Sequence, residues 1–374
     1  MRIMYVNDAL AIWGGLERVL IEKANLLATL ADYEVCLVTL NQGSHQLPYP
    51  INPKVRFYDL GIQLHRQYQN HGLVRLIKRL RLNRMYKQRL RQKIQEVCPD
   101  VIVCTRAELV STIVKVKGDI PLVYESHTSR RAHEFLGSDF YTRFKVACNN
   151  RDVKAAQMVV ALTEGDAEDW REINPRVCVI PNMVTLNNTD SYSDCQAMSA
   201  IFVGRFSTQK DISTLLRIWK KIHQRCPYWQ LHLYGGYGEE QDRLLPVIKK
   251  MQANIVVHDP TPDIFNRYKE NSILLLTSRF EPFGLVLPEA MSCGLPVVAF
   301  DCPYGPADII SDRIDGFLVH DRSEEEFVEK VCLLMENSGL RQRMGQAGIL
   351  SSQRYKADRI LPLWKELFEH LSRK

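Results

Sequence analysis

Two glutamates stand eight positions apart in this 374-residue chain, on either side of a turn that follows an apolar run. Glu281 lies just after the run, and Glu289 lies one to two turns into the segment that should form the next helix. Gly284 between them leaves room for a ligand near the backbone, where the first amides of a helix attract anions. Carboxylates accept hydrogen bonds from hydroxyl pairs, so we expect Glu289 to bind a ribose and Glu281 to face sugar hydroxyls.

Two isolated glutamates would more simply be solvated carboxylates at a helix start, but the residues around them argue against that. The stretch from Ser278 to Phe300 resembles the E-x7-E signature of retaining glycosyltransferases of the GT-B fold, especially glycosyltransferase family 4. The resemblance implies a catalytic role for Glu281. It also implies that the donor is bound by Phe283, Gly284, Leu285 and Glu289.

A second motif places two spaced cations after a predicted strand. Arg205 follows the glycine that ends the run 200–203, and Lys210 stands five positions later. Alone, the pattern is more typical of a turn with a surface cation, but it resembles the family's G-R-x-x-x-x-K element. That resemblance implies that both residues hold a diphosphate, whose negative charge grows as the sugar leaves.

Two further motifs follow strands of the first half of the chain. Gly14 and Gly15 can bring amides against a phosphate or sugar, although most such pairs are only turns. They lack the G-x-G-x-x-G spacing of a dehydrogenase and match the family's glycine-rich loop. His127, after the run 122–125, fits the family's histidine beside the transferred sugar, and Glu125 is a further active-site candidate.

Short apolar runs alternate with helical patterns, which predicts parallel sheets covered by helices. The cycle restarts after a polar, turn-rich stretch, so we predict an α/β protein of the GT-B type, with two doubly wound Rossmann-like domains facing each other across a cleft. The predicted parts are an acceptor-side domain over 1–184, a linker over 185–198, a nucleotide-sugar-binding domain over 199–356, and a helix over 357–374 that packs back toward the first domain.

The positive charge is concentrated in the first half of the chain. Residues 1–187 hold 26 Lys and Arg against 19 Asp and Glu, and nine of those cations lie between positions 75 and 93 without one acid. Leucines and isoleucines recur there at helical spacing, so the segment 73–97 is predicted to contact an anionic membrane. The alternative is a solvated helix face that packs through its leucines. No nucleic-acid-binding motif accompanies the charge.

The remaining features bound the chemistry and the location. The ten cysteines are scattered singly, and neither a signal peptide nor a long apolar run is present, which favours a cytoplasmic protein with at most peripheral membrane contact. No Asp-x-Asp motif occurs, so we expect no metal, no cofactor and a metal-independent reaction. The loop 301–310 resembles D-C-P-x-G-P-x-[ED]-I-I, found in a bacterial subgroup that builds surface polysaccharides.

The family resemblance implies a retaining transfer of a hexosyl or N-acetylhexosaminyl group from a nucleoside diphosphate sugar, and the resemblance to the bacterial subgroup favours a UDP-sugar. The acceptor is expected to be a glycan, and a lipid-linked one by family resemblance. The alternatives are a GT-B sugar-nucleotide epimerase, which would act without an acceptor, a phosphorylase, and a non-catalytic protein that keeps the fold. A phosphorylase usually needs a pyridoxal lysine and a longer chain.

Overall fold

The chain forms two fully parallel sheets with helices on both faces of each. The computed structural model describes residues 1–64, 71–135 and 139–373, without the side chain of Leu73. In these ranges the first sheet has the order β3-β2-β1-β4-β5-β6-β7 and the second the order β10-β9-β8-β11-β12-β13. Strand order reverses beside β1 and beside β8, which is where doubly wound sheets bind ligands.

Five of the seven strands of the first sheet have almost fully buried inner residues, and β3 and β7 at its edges do not. Its strands are β1 (Arg2–Asn7), β2 (Glu34–Thr39), β3 (Arg56–Asp59), β4 (Val101–Cys104), β5 (Leu122–Glu125), β6 (Met158–Ala161) and β7 (Val177–Val179). Its helices are α1 (Gly15–Leu27), α2 (Gly72–Val97), α3 (Ala107–Val114), α4 (Ala132–Phe135), α5 (Phe140–Asp152) and α6 (Glu164–Arg171). Apolar clusters cover both faces of this sheet, which explains why its strands read as near-continuous apolar runs.

The second sheet repeats this plan. Its strands are β8 (Ser199–Gly204), β9 (Gln230–Gly235), β10 (Ile255–His258), β11 (Ile273–Leu276), β12 (Val297–Phe300) and β13 (Gly316–Val319). Its helices are α7 (Ile212–Arg225), α8 (Gln241–Lys250), α9 (Ile264–Lys269), α10 (Val286–Ser292), α11 (Gly305–Ile309), α12 (Glu324–Glu336) and α13 (Ser338–Ser352). Both faces again carry buried clusters.

The last helix, α14 (Ala357–Ser372), follows the second sheet but packs on the first. Trp364 and Phe368 are buried there in one cluster with Ile3 and Tyr5 of β1. The chain therefore crosses between the two sheets twice, and α14 ties its end to the first sheet.

The structure contains one strand that the apolar pattern missed. β3 pairs with β2 in the register Cys36↔Arg56 to Thr39↔Asp59, yet its residues are only half-buried or exposed. This edge strand has a charged residue at each end, Arg56 and Asp59, so it contains no apolar run that would predict it. Within the described residues, none of the helices has the length and apolar character needed to cross a membrane.

Candidate functional site

The second sheet brings Glu281 and Lys210 together at the carboxyl ends of β8 and β11. Lys210 Nζ lies 2.5 Å from Glu281 Oε1, and Ser278 Oγ donates a hydrogen bond to the same oxygen at 2.5 Å. Glu281 is 3 % exposed. Its amide donates to the Pro303 carbonyl at 3.2 Å, and Gly305 N donates to the Glu281 carbonyl at 2.8 Å. The carboxylate is thus fixed on both its backbone and its side chain.

Glycines make room around this pair. Lys210 lies over Gly204, where a Cβ would come within 3.4 Å of the lysine Cε. Gly235 ends β9 and Gly238 follows it, and a Cβ on either would overlap the carbonyl oxygen of Gly204 or Phe206. These glycines were not among the predicted site residues, although a glycine cluster at a strand end is a readable signal. Arg205, next to Gly204, is exposed.

Glu289 is buried in α10, where it is paired with a residue of the opposite half. Arg18 of α1 donates to Glu289 Oε1, and the Tyr268 hydroxyl donates to Oε2 at 3.1 Å. Neither partner was predicted. A carboxylate has about four acceptor positions, so two remain for ribose hydroxyls beside these bonds.

The turn between the glutamates presents backbone rather than side chains. Gly284 has φ +93°, a conformation that favours glycine, and Leu285 caps α10. The Phe283 ring packs in the core, edge-on to Tyr355 with 5.2 Å between ring centroids. Phe283 was predicted to bind the donor, but its ring faces away, so only its backbone remains for that contact.

The glycine pair of the first half faces this turn. Gly14 caps α1 and Gly15 begins it, and a Cβ on Gly15 would lie 3.0 Å from Cδ1 of Leu285. The Glu17 carboxylate folds back against Gly14. Burial raises the pKa of Glu17, while the charges of Arg106 and Arg205 act in the opposite direction. The charge of Arg205 therefore acts across the gap between the halves.

His127 lies beside a fully buried ion pair. Its Nε2 is 3.0 Å from Glu125 Oε1, without the alignment of a good hydrogen bond, and its side chain is 4 % exposed. Lys23 of α1 forms a salt bridge with Glu125, and its ammonium lies 3.8 Å from the ring centroid of Trp364. Burial alone would raise the pKa of Glu125, but Lys23 and His127 outweigh it and hold that pKa at about 2. Glu125 thus serves Lys23 and His127 rather than the cleft.

The D-C-P-Y-G-P loop forms a clasp between the halves. Tyr304 has φ +83° and donates its hydroxyl to Asp169 of α6 at 2.7 Å, and this hydrogen bond raises the tyrosine's pKa further than burial alone does. Phe135 stacks on Phe280, the residue before Glu281, with 5.6 Å between ring centroids. The loop that carries Glu281 is therefore braced from the opposite domain.

The basic segment forms α2, which is buried at one end and exposed at the other. Leu82, Tyr86, Leu90 and Ile94 lie in the core. The first turns expose four apolar side chains among the cations, namely Val74, Leu76, Ile77 and Leu80. The second half of α2 therefore packs in the core, and membrane contact through the exposed first turns stays a prediction. Among the described residues, no cluster of three or more His, Cys, Asp or Glu could hold a metal ion, and metal independence stays a prediction.

The predicted residues therefore meet at one cleft: Glu281, Lys210, Arg205 and Glu289 on one wall, Gly14, Gly15 and His127 on the other. A family model described as Glycosyltransferase Family 4 matches residues 13–188, and one described as Glycosyl transferases group 1 matches 196–350. The chain is 29% identical over 376 residues to the amylovoran biosynthesis glycosyltransferase AmsD of Erwinia amylovora, covering 98% of this chain and 99% of AmsD.

Solved structures agree in fold. The S. aureus TarM mutant that was crystallised with fondaparinux, alpha-GlcNAc-glycerol and UDP aligns over 98% of this chain and 99% of its own, with a TM-score of 0.79 at 14% identity. Anabaena Alr3699/HepE in complex with UDP and glucose aligns over 98% and 99%, with a TM-score of 0.74 at 19% identity. At these identities the likeness shows the fold alone.

Proposed function

Because this chain is a glycosyltransferase of the GT-B fold, we propose that it moves a hexosyl or N-acetylhexosaminyl group from a UDP-sugar to an acceptor hydroxyl with retention. The observation that carries this proposal is the Lys210–Glu281 pair, whose carboxylate is buried at the wall of the cleft opposite the glycine start of α1. The Lys210 ammonium can bind a phosphate while the Glu281 carboxylate accepts hydrogen bonds from hydroxyls, so the pair fits a ligand that carries both groups.

The diphosphate is the leaving group in this proposal. Lys210 supplies a compact ammonium and Arg205 an exposed guanidinium, and both favour the charge that develops as the glycosidic bond breaks. Both cations are accessible to a ligand, since the Lys210 side chain is 15% exposed and Arg205 is exposed. The ribose takes the two remaining acceptor positions of Glu289, between Arg18 and Tyr268.

The way Glu281 is held supports one of the two retaining mechanisms over the other. A double displacement needs a free carboxylate as nucleophile. Glu281 already accepts from Lys210 and Ser278 on one oxygen, so it serves better to orient sugar hydroxyls than to attack the anomeric carbon. We therefore propose a same-face substitution without a metal, in which the departing diphosphate takes the acceptor's proton and His127 contacts the transferred sugar.

We propose a lipid-linked glycan as the acceptor, in polysaccharide assembly at the cytoplasmic face of the cell membrane. The name of the amylovoran relative supports the pathway class. Cations and exposed apolar side chains in the first turns of α2 support docking on an anionic bilayer, at about 1 kcal/mol per basic residue.

A sugar-nucleotide panel tests this function. Nucleotide release is measured with and without lipid-linked acceptors for wild type, Glu281→Ala and Lys210→Ala. We expect acceptor-dependent UDP release that both substitutions lower strongly. Conversion of the donor alone to an isomeric sugar nucleotide would instead indicate an epimerase. If none of the donors gave nucleotide release, the proposal would be refuted.

A further inference from the structure

A cation of the first half reaches across the cleft to the carboxylate that is proposed to hold the ribose. Arg18 lies on α1, three residues after Gly15, and its Nη2 donates a hydrogen bond to Oε1 of Glu289. The two side chains are 20% and 3% exposed. Their elements are in contact, since a Cβ on Gly15 would lie 3.0 Å from Cδ1 of Leu285. Arg18 is therefore placed to touch a ligand that Glu289 holds.

One nitrogen of this guanidinium lacks a hydrogen bond. Nε of Arg18 is buried and makes none within the described part of the chain. Oε1 of Glu22, one turn further along α1, lies 3.9 Å from it, which is too far for a hydrogen bond. The Glu22 carboxylate is hydrogen-bonded to the side chain of Thr185 instead. Because a buried donor without a partner costs free energy, Nε would stabilise a ligand atom that accepts a hydrogen bond.

The charges around Nε select a neutral acceptor. Arg18 lies between two carboxylates, those of Glu22 and Glu289, so a phosphate at this point would meet more negative than positive charge. A hydroxyl carries no charge, and it can donate and accept at the same time. It would donate to a free acceptor position of Glu289 and accept from Nε of Arg18.

The carboxylate is held in place for this task from its other side. Tyr268 is fully buried, and its hydroxyl donates to Oε2 of Glu289 at 3.1 Å. Glu289 therefore stays fixed between one partner from each half of the chain. A vicinal pair of hydroxyls fits this arrangement, because its hydrogens find the carboxylate and one of its oxygens finds the guanidinium.

We infer that Arg18 is a specificity residue for the donor, which recognises a ribose hydroxyl from the opposite half of the protein. The ribose then lies between Glu289 of the second half and Nε of Arg18 in the first. This inference rests on the proposed function, since it adds a contact to the same nucleotide. It goes further in that recognition of the donor needs both halves, because neither wall alone supplies the carboxylate and the guanidinium.

Calorimetry with UDP and with its 2′,3′-dideoxy analogue tests the inference, because the two nucleotides differ only in the ribose hydroxyls. We expect wild type to bind UDP at least roughly tenfold more tightly than the analogue, and Arg18→Met and Glu289→Gln to lower that ratio to roughly threefold or less. Equal loss of affinity for both nucleotides in Arg18→Met would mean that Arg18 only holds the halves together. Tighter binding of UDP would mean that Arg18 blocks Glu289. Either result would overturn the inference.

Arg18→Lys separates the Nε contact from the charge. A lysine keeps an ammonium beside Glu289 but has no second nitrogen for the ribose, so the free protein should keep its melting temperature while the ratio falls. Arg18→Met leaves the buried carboxylate without its cation and should melt lower. The matched control is Arg343→Met, at an exposed arginine of α13, which should change neither quantity. A wild-type ratio in Arg18→Lys would show that Nε does not contact the ribose, which would overturn the inference.

The two proposals fail in different ways. If wild type binds neither nucleotide, the donor proposal is refuted and the role of Arg18 is refuted with it. If the Arg18 variants prefer UDP over the analogue as strongly as wild type does, the donor proposal stands and only the role of Arg18 is refuted. Lys210→Ala should weaken both nucleotides by the same factor, because the lysine is proposed to contact the diphosphate that they share.

Discussion

Among the described residues, each half has a Lys–Glu pair whose carboxylate is almost fully buried, and the two pairs lie in different surroundings. Lys23 and Glu125 are each 1% exposed and lie between β5, α1 and the Trp364 ring. Lys210 and Glu281 are 15% and 5% exposed, at the wall of the cleft. A sealed pair can only hold the protein together, whereas a pair at the cleft wall can exchange partners with a ligand.

The difference shows why a buried charge does not by itself mark an active site. The sequence indicated Glu125 as an active-site candidate but gave no sign of Lys23, because Lys23 lies on the apolar face of an amphipathic helix. Because the Lys23–Glu125 pair lies next to His127, it supports the wall of the cleft.

The largest expected effect comes from breaking the sealed pair. Lys23→Met leaves Glu125 buried with only His127, and such a change costs about 3–5 kcal/mol of unfolding free energy. Replacing both residues, in Lys23→Met/Glu125→Leu, should recover much of that loss. Denaturant unfolding of the three proteins measures this. A single variant as stable as wild type would show that the pair contributes nothing.

Breaking the pair at the cleft should instead cost rate. We expect Lys210→Ala to lower the transfer rate by about 10²–10³-fold, as for other groups that stabilise developing charge. Its unfolding free energy should fall by less than about 2 kcal/mol, because the pair is partly exposed. The control is Lys220→Ala, an exposed lysine on α7. If Lys210→Ala lost as much unfolding free energy as Lys23→Met, the two pairs would not differ in their roles.

Acid should act on the sealed pair. The pKa of Glu125 is held at about 2, below its ordinary 4.5, so its contribution is complete above about pH 5 and is lost as the pH falls toward 2. The loss should amount to roughly 3 kcal/mol at most. Unfolding of wild type and of Lys23→Met/Glu125→Leu at pH 5 and pH 2.5 checks it, and wild type should lose unfolding free energy relative to the double variant in acid. A constant difference would speak against a charged pair.

The smallest effect concerns the clasp that braces the Glu281 loop. Tyr304→Phe removes one hydrogen bond to Asp169 across the cleft, which should lower kcat/KM by roughly three- to tenfold. Initial rates at varied donor concentration measure it, with the exposed Tyr228→Phe as control. Equal rates for Tyr304→Phe and wild type would mean that the Tyr304–Asp169 hydrogen bond does not support the reaction.

Most of the fold could be predicted from sequence, because parallel strands buried on both faces are written as apolar runs. The apolar runs 34–39, 101–104, 122–125, 255–258, 297–300 and 316–319 predict strands with those bounds, and β2, β4, β5, β10, β12 and β13 have them. β3 could not be found, since it lies at a sheet edge and its residues are only half-buried or exposed. Resemblance to two family motifs brought Glu281 and Lys210 forward as candidates.

The partners across the cleft were beyond local spacing. The Arg18–Glu289 pair joins positions 271 residues apart, and Tyr304 meets Asp169 over 135 residues. Nothing near Arg18 or Tyr304 in the sequence indicates which side chain of the other half lies opposite. The sequence therefore predicts each wall of the cleft, and only the three-dimensional structure pairs them.

Calorimetric titration of wild type and Lys210→Ala with UDP and with uridine tests most directly whether this cleft binds a diphosphate. UDP should bind wild type at least roughly tenfold more tightly than uridine does, because a charged hydrogen bond holds the diphosphate, and that ratio should shrink toward one in Lys210→Ala. Equal affinity of wild type for UDP and uridine, or the same ratio in both proteins, would contradict the account.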